Sequence, residues 1–414
     1  MSASHRDRGA RPLKQNKGEP TMAANIILLG ARPFIAERAW QLGARPLIIQ
    51  NPERSEDWVN KQSERVLLMS YEDPALIPML AAAHAITPFT SAITIAEEAL
   101  LPCARINQAL GLPGTPVELV EKTRDKTAMR RVLDSGGFSP VRWAAVKVLA
   151  DATAFAERMG YPFILKPVDG VGSVDVRLVR SAADLEGVLN GKSAWIAEEY
   201  LDGPEYSVDC FSFSGRHFIL GINEETKNPG PIGSAFLEVA HQVPAPMSPE
   251  RDHEVREFIR RFLDEVGIQE GPTHTELKYT SRGPRIVETH TRLGGDRLWD
   301  LIRLTTGYDL VDMTLQWAMG TLKPLDADPV PRGGAAIQYF TPPPGRLKHL
   351  HGMQALRRLP GVVDISLTVD VGATIPPAMQ SVDRAGYVIA QGPTASQAME
   401  ICQEVSQRLV LTTA

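Results

Sequence analysis

The feature that most constrains the fold is a series of short apolar runs near the start of the chain. The runs lie at residues 25–29, 46–49, 65–69 and 85–89, and helices are predicted between and after them, notably over 34–42 and 92–110. Strands that are apolar along their whole length are typical of a parallel sheet covered by helices on both faces. An α/β domain is therefore predicted over residues 22–115. Gly30 is followed by Ala-Arg-Pro, so this domain lacks a dinucleotide-binding fingerprint.

Composition excludes several classes of protein. The 414 residues are 43% hydrophobic, and the longest apolar runs are much shorter than the roughly 20 residues of a membrane-spanning helix. The net charge of −5 argues against nucleic-acid binding by bulk electrostatics. Three widely spaced cysteines provide neither a disulfide framework nor a metal site, so a reducing, cytoplasmic location is expected. Residues 1–21 are predicted to be a disordered tail, with a nucleic-acid-binding arm as the alternative.

The rest of the chain has a different pattern. Short strands separated by turns predict an α+β region with antiparallel strands over residues 116–332, with one lobe at about 140–200 and a second at about 201–332. The helices predicted here are 121–134, 151–158, 248–266 and 296–319, and Asp151 is the expected N-cap of the second. A small α+β unit, ending in a helix at 395–411, is predicted over 333–414.

A lysine stands at the end of an apolar strand in the first lobe. Burying the ammonium group of Lys166 is costly without an anionic partner, although a surface lysine that reaches solvent is the simpler interpretation. The glycine-rich turn that follows contains Gly170, Gly172 and Ser173. Such a turn can fold backbone N–H groups over phosphate oxygens and can move as a lid, or it can be a plain hairpin turn.

Carboxylates follow the next apolar strand. Glu198 and Glu199 end the run Ala-Trp-Ile-Ala, and Glu205 begins another strand after a turn that includes Leu201. Paired carboxylates at the end of an apolar strand are energetically unusual. A solvated hairpin is the alternative.

Two further charged strands complete the set. Glu276 and Lys278 share one face of a predicted strand, and Glu288, His290 and Arg292 share one face of the next. If the strands pair as a hairpin across residues 280–284, the carboxylates converge. Converging oxygen ligands around a phosphate suit Mg²⁺. A half-exposed hairpin with a charged outer face is the alternative.

Taken in order, these features resemble the ATP-grasp superfamily. The resemblance rests on Asp125-Lys126, Leu165-Lys166-Pro167, the glycine turn, Glu198-Glu199-Tyr200-Leu201, Glu205-Tyr-Ser-Val and the pair Glu276 and Glu288, and it spans about residues 22–411. Within that superfamily, residues 288–296 and the Pro- and Gly-rich C-terminal unit resemble carboxylate–amine ligases of the L-amino acid ligase type.

The resemblance implies a fold and a set of roles. The fold is α/β plus α+β, with an N-terminal α/β domain, a two-lobed nucleotide clamp and a small C-terminal domain. Lys126 and Lys166 would hold ATP phosphates beneath a loop of Gly170, Gly172 and Ser173. Glu199 and Leu201 would contact adenine with Glu198 beside them, and Glu205 would bind ribose.

The remaining implied roles concern metal and substrate. Glu276 and Glu288 would ligate Mg²⁺, with Mn²⁺ as a substitute. His290 is the third candidate ligand, but it stands where many members of the superfamily carry Asn. A neutral imidazole is a poorer Mg²⁺ ligand than an amide oxygen, so the alternative is that His290 orients substrate or binds a phosphate. Arg292 would contact the acyl phosphate.

Other residues are candidates for substrate contact. They are His274, Gly294, Gly295 and Trp299; for His274 and Trp299, simple packing is the alternative.

The implied activity is ATP-dependent ligation of a small carboxylate to an amine through an acyl phosphate, joining amino acids in secondary metabolism. The resemblance also implies a homodimer, with no membrane or nucleic-acid partner. Two alternatives stay open. One is another ATP-grasp reaction, such as a carboxylation or a purine-pathway ligation, although the Met-Lys-Met segment of a biotin carrier is missing from the sequence. The other is a non-catalytic nucleotide-binding protein.

Overall fold

The computed structural model describes residues 23–54, 65–170, 172, 174–186, 194–228 and 236–414. The predicted tail at 1–21 and Ser173 of the glycine turn lie outside the described residues.

The N-terminal domain contains a parallel sheet. Its elements are β1 (Asn25–Leu29), α1 (Pro33–Gln41), β2 (Arg45–Gln50), β3 (Val66–Leu68), α2 (Leu76–Ile86), β4 (Ser91–Thr94) and α3 (Leu100–Leu110). The strand order is β3-β2-β1-β4, and all neighbours pair in parallel, as predicted. Ile26 and Leu28 pack with α1 on one face, whereas Ile27 and Leu29 pack with α2 and α3 on the other. Both faces of the sheet are therefore covered.

Two predictions in this domain are wrong. Residues 85–89 are not a strand, because α2 continues to Ile86 and ends before Pro88, which disfavours a helical conformation at Thr87. The fourth strand is instead Ser91–Thr94, whose four residues are all buried. The helix predicted over 92–110 therefore begins only at Leu100. An apolar run alone does not distinguish a buried strand from a buried helix.

Two helices lead into a second sheet. The elements are α4 (Val117–Arg124), α5 (Lys126–Ser135), β5 (Trp143–Val146), α6 (Leu149–Met159), β6 (Phe163–Pro167), β7 (Arg177–Val179) and β8 (Trp195–Glu199). The sheet is antiparallel, with the order β5-β8-β6-β7. The single helix predicted over 121–134 is wrong, because the helix breaks at Asp125. The Asp125 carboxylate caps α5 by accepting hydrogen bonds from the N–H groups of Thr127 and Ala128.

Two other helix predictions need correction. Asp151 is not the N-cap of α6: it lies one turn inside the helix, and its carboxylate accepts hydrogen bonds from the N–H groups of Lys147 and Val148. The helix predicted over 296–319 is two helices, separated by Gly307 with φ +82° and restarted by an N-cap at Asp309.

The remaining elements form the second lobe and the C-terminal unit. In order they are β9 (Glu205–Phe213), β10 (Arg216–Lys227), β11 (Glu238–Val243), α7 (Pro249–Val266), β12 (Gly271–Thr280), β13 (Gly283–His290), α8 (Leu298–Thr306), α9 (Leu310–Ala318), β14 (Gly334–Tyr339), β15 (Gly345–His351), α10 (Met353–Leu356), β16 (Val362–Leu367), β17 (Thr374–Ile375), β18 (Gly386–Gly392), α11 (Ala395–Arg408) and β19 (Val410–Thr413).

An eight-stranded antiparallel sheet joins the second lobe to the C-terminal unit. Its order is β13-β12-β9-β10-β11-β14-β18-β16, so three strands of the C-terminal unit continue the sheet of the second lobe. A small sheet with the order β17-β15-β19 completes the unit. The helix predicted over 395–411 ends at Arg408, because the chain enters β19. Among the described residues, no helix is long and apolar enough to cross a membrane.

Candidate active site

The hairpin predicted for the two charged strands is confirmed. Strands β12 and β13 pair antiparallel, with Glu276 opposite Glu288 and His274 opposite His290. Carboxylate oxygens of Glu276 and Glu288 and a ring nitrogen of His290 all lie within 4.8 Å of one another. Two carboxylates at this spacing are a donor set that suits Mg²⁺ or Mn²⁺.

A cavity of about 280 Å³ lies between the sheet β5-β8-β6-β7 and the eight-stranded sheet. Its lining includes most of the predicted nucleotide-binding residues, namely Lys126, Lys166, Gly170, Glu198, Glu199, Leu201, Glu205, Glu276 and Glu288. We call it the nucleotide cavity. Apolar side chains from both lobes, including Ile164, Val176 and Val287, also line it.

Lys166 is buried at the end of β6 in an ion-pair network. Its Nζ lies 2.8 Å from Glu198 Oε2, and Arg130 Nε donates to Glu198 Oε1 at 2.7 Å. Burial favours the neutral acid, but the charges of Arg130 and Lys166 outweigh burial and lower the pKa of Glu198 to about 2. Glu198 therefore stays ionised and fixes the direction of the lysine.

Lys126 is the second lysine of the nucleotide cavity. Its Nζ lies 2.8 Å from Glu288 Oε2 and donates to the carbonyl of Gly170 at 2.7 Å. Burial lowers the pKa of Lys126, but Glu288 outweighs that effect and raises it. Burial likewise favours neutral Glu288, yet Lys126 and His290 hold its pKa well below the ordinary value. Lys126 thus links the hairpin to the glycine turn.

The other carboxylates of the nucleotide cavity are also paired. The Glu199 side chain interacts with Arg142 and Arg282, both at 3.0 Å, and its backbone N–H donates to the Arg142 carbonyl. Glu205 lies 3.2 Å from Lys227 Nζ and 3.4 Å from Lys278 Nζ.

A second cavity of about 120 Å³ adjoins the first, and Glu276 and Glu288 line both. The additional lining residues are Gly172, Glu225, Glu238, His241, His274, His290, Arg292, Gly295, Asp296, Leu298 and Ser381. We call it the acidic cavity, because carboxylates outnumber cations along its wall. Burial raises the pKa of Glu225 to about 7, although Lys227 opposes the shift.

His274 is tied to the glycine pair by a buried carboxylate. Asp209, which is fully buried on β9, lies 3.1 Å from His274 Nδ1 and accepts a hydrogen bond from the Gly294 N–H at 2.9 Å. Burial lowers the pKa of His274, but Asp209 and Glu276 outweigh it and raise the pKa to about 10. A Cβ at Gly294 would lie 2.7 Å from His274 Nδ1, so the close approach requires glycine.

Glu97, in the turn after β4, reaches into the same site from the N-terminal domain. It lies 3.0 Å from His290 Nδ1 and accepts a hydrogen bond from Arg292 Nε at 2.8 Å. Burial raises the pKa of Glu97, but His290 and Arg292 outweigh it and lower the pKa to about 2. His290 Nε2 faces Glu288 at 3.2 Å, and these two carboxylates raise the pKa of His290 against burial and Arg292. The raised pKa favours the protonated imidazole, which does not ligate a metal.

Several of these residues were missed by sequence reasoning, and some had a signal. Asp209 follows Glu205 and Ser207 at every second position of one strand, which places all three on one face. Glu97 lies beyond the carboxyl end of a parallel strand, where ligands of α/β sheets bind. Arg130, Glu225 and His241 had no local signal.

Trp299 lies outside both cavities. It stacks on Phe34 of α1, with 5.4 Å between the ring centroids, and lines a separate cleft between the N-terminal domain and α8. The remaining described candidates, from Lys126 to Gly295, lie in or beside the two adjoining cavities, and Ser173 lies outside the described residues.

Three family models match this chain. An ATP-grasp N-terminal domain matches residues 36–114, an ATP-grasp domain matches 159–300, and an L-amino acid ligase C-terminal domain 2 matches 338–414. The chain therefore belongs to the ATP-grasp superfamily.

The relatives and solved structures to which this chain is similar include amino-acid ligases. The chain is similar to the crystal structure of an L-amino acid ligase from Bacillus licheniformis, with a TM-score of 0.83 and 23% identity over 95% of this chain and 100% of that one. It is 28% identical over 255 residues to alanine–anticapsin ligase of Bacillus subtilis strain 168, which covers 54% of this chain and 53% of the relative. It is 29% identical to an uncharacterized protein, y4rH, of Sinorhizobium fredii, over 76% of this chain and 66% of the relative.

The match covers about half of the length of alanine–anticapsin ligase and about two thirds of the length of y4rH. The predicted ATP-grasp fold, with its N-terminal, central and C-terminal parts, is confirmed.

Proposed function

We propose that this chain is an ATP-dependent carboxylate–amine ligase that forms an amide bond between small substrates, at least one of which is an amino acid. The observation that carries the proposal is the pair Glu276 and Glu288, which lines both cavities. A nucleotide in the larger cavity and a carboxylate in the acidic cavity would therefore meet at this pair. The similarity to alanine–anticapsin ligase, whose name describes such a ligation, supports the choice of substrate class.

The proposed reaction has two steps. A substrate carboxylate oxygen attacks the γ-phosphorus of ATP in line, so that an acyl phosphate forms and ADP leaves. The amine nitrogen of the second substrate then attacks the acyl carbon, phosphate leaves, and the nitrogen loses a proton. Neither step requires a nucleophile from the protein, so the chain contributes positioning and electrostatic stabilisation.

The cations of the site suit these steps. Lys166, fixed by Glu198, and Lys126, beside the glycine turn, would bind phosphate oxygens. Arg292, held by Glu97, would face the transferred phosphoryl group from the acidic cavity. Fixed charges in a water-poor site stabilise developing charge more strongly than charges in water do.

A divalent cation fits the same place. Glu276 and Glu288 would hold Mg²⁺, which when bound neutralises phosphate charge. Lys126 neutralises Glu288 in this structure and also contacts the Gly170 carbonyl, so its ammonium group lies between the metal-ligand pair and the glycine turn.

Exclusion of water is the other requirement, because water would hydrolyse the acyl phosphate. Gly172, which lines the acidic cavity with φ +62°, would help to keep water out of it.

The proposal is tested by incubating the purified chain with ATP, Mg²⁺ and pairs of amino acids while ADP is measured. ADP release that requires both substrates, together with a product of the condensed mass, is the expected result. Hydroxylamine added in place of the amine should trap the acyl phosphate as a hydroxamate.

The alternatives give different results. ADP release that requires bicarbonate would favour a carboxylase. Nucleotide binding without turnover under any of these conditions would indicate a non-catalytic protein and would overturn the proposal.

A further inference from the structure

Two consecutive residues beside the acidic cavity have a backbone conformation that side chains disfavour. Asp296 has φ +51° and Arg297 has φ +59°, and neither is glycine. They follow directly on the Gly294–Gly295 pair. Left-handed residues of this kind persist where the surrounding structure holds them, and they are concentrated at functional sites.

The groups that hold Asp296 come mainly from the C-terminal unit. Arg384 donates from Nη1 to Asp296 Oδ2 at 2.6 Å and from Nη2 to Asp296 Oδ1 at 2.5 Å. Tyr339 donates its hydroxyl to the Asp296 carbonyl at 2.8 Å. Within the second lobe, His241 Nε2 lies 3.1 Å from Asp296 Oδ2. Both the side chain and the backbone of Asp296 are therefore fixed.

Arg384 is itself held in place. Its guanidinium lies over the Tyr339 ring at 3.7 Å, its Nε donates to the Ser381 carbonyl at 2.8 Å, and its Nη1 donates to the Glu238 carbonyl at 3.3 Å. The side chain is only 8% exposed. A planar bidentate pair of this kind fixes orientation as well as distance.

The residues that Arg384 holds are part of the cavity wall. Asp296, Ser381 and Glu238 line the acidic cavity, as does His241, whereas Arg384 is not among the lining residues. None of them lines the nucleotide cavity. Arg384 therefore contacts the wall of one cavity and not of the other.

We propose that Arg384 is a positioning residue, by which the C-terminal unit sets the shape of the acidic cavity for the carboxylate and amine substrates. This inference rests on the proposed ligase function. The Asp296 carboxylate, which binds Arg384 and His241, holds the turn that carries Gly295 and Arg292 against the C-terminal unit and β11. Loss of the Arg384–Asp296 ion pair would leave the nucleotide cavity intact and would make the wall of the acidic cavity less rigid.

The test compares Arg384→Met, which removes charge and hydrogen bonds but keeps the length of the stem, with Arg384→Lys, which keeps the charge and loses the bidentate pair. KM values for ATP and for each substrate are measured separately. Arg384→Met is expected to raise the KM of at least one substrate about 10- to 100-fold, since small misplacements at a site have effects of this size. The KM for ATP should stay within about twofold of the wild-type value. The substrate KM of Arg384→Lys should lie between those of the wild type and Arg384→Met.

Arg357→Met is the matched control. Arg357 also belongs to the C-terminal unit, and its Nη2 donates to the Ile365 carbonyl, away from both cavities. It should leave every KM unchanged. If Arg384→Met does not fold, Tyr339→Phe, which removes only the hydrogen bond to the Asp296 carbonyl, should still raise a substrate KM, by a smaller factor.

The inference is overturned if folded Arg384 variants keep wild-type KM values for both substrates, or if the KM for ATP rises equally. The two proposals fail separately. A wild-type protein without substrate-dependent ADP release contradicts the ligase function, whereas an active wild type with unaltered Arg384 variants contradicts only the positioning role.

Discussion

The two adjoining cavities are built in different ways. The nucleotide cavity is lined by residues between Lys126 and Glu288, and its charged groups are balanced pairs such as Lys166 with Glu198. The acidic cavity takes Ser381 from the C-terminal unit, and its Arg292 is held by Glu97 of the N-terminal domain. Three parts of the chain therefore contribute side chains to the second cavity or to the residues that line it.

Under the proposed function, this difference has a reason. The nucleotide is the same across a superfamily, so its cavity can be made by one domain with a fixed set of pairs. Substrates differ between members, and a cavity made where domains meet can change through any of its contributors. Glu225, Glu238 and Asp296 of the acidic cavity's wall are each paired with a cation that does not line this cavity, namely Lys227 or Arg384.

The largest expected effect is at the pair shared by the cavities. Glu288→Gln should lower substrate-dependent ADP release about 10²–10³-fold, because it removes a metal ligand and the partner of Lys126. Glu254→Gln is the control, since Glu254 is exposed and contacts Tyr279. A near-wild-type rate for Glu288→Gln, measured by coupled ADP assay, would contradict the proposed role of Glu288 in holding the metal ion and Lys126.

The next effect concerns the balanced pairs of the nucleotide cavity. Glu198→Gln should lower the free energy of unfolding by about 3 kcal/mol at neutral pH, because a buried carboxylate that binds two cations is lost. The folded pKa of about 2 lies below the ordinary 4.5, so the stabilisation is present above pH 4.5 and is lost as pH falls toward 2. Urea unfolding of both proteins between pH 7 and pH 3 measures this, and a difference that does not shrink in acid would contradict it.

A smaller effect tests the contribution of the N-terminal domain to the acidic cavity. Glu97→Gln weakens the hold on Arg292 and His290, so the KM for a substrate should rise about tenfold while the KM for ATP is unchanged. Glu98→Gln, at the exposed neighbouring position, is the control. Equal changes in both KM values would mean that Glu97 supports the whole site.

The smallest effect is expected outside both cavities. Trp299→Phe keeps an aromatic ring on Phe34 and should change every KM by less than about twofold, with a loss of stability below about 1.5 kcal/mol. Steady-state kinetics and thermal unfolding measure the two quantities. A rise in the KM of one substrate alone would contradict this prediction and would indicate that the substrate site includes the cleft beside α1.

Much of the nucleotide cavity was predictable because its charged residues are unusual within their own strands. Lys166 ends a buried strand and Glu198 ends the strand paired with it, so alternation and burial alone mark both as unusual. The hairpin that brings Glu276 opposite Glu288 follows from two strands and a short turn. Helix boundaries were less predictable, since the breaks at Asp125 and Gly307 depend on caps inside continuous helical patterns.

The acidic cavity was not predictable from local patterns. Glu97 and Arg292 are 195 positions apart, and Asp296 and Arg384 are 88 apart, so no periodicity relates them. The strands of the C-terminal unit give no sign in the sequence that they continue the sheet of the second lobe. That continuation is what carries Arg384 to Asp296.

The sequence by itself determined the parallel N-terminal sheet, the order of the nucleotide-site motifs and the hairpin with its two carboxylates. Side-chain alternation and strand burial are properties of neighbouring residues. Only the tertiary structure decided which distant charges meet. Ion pairs such as Glu97 with Arg292 and Asp296 with Arg384 form between domains, where the packing of whole elements sets the distances.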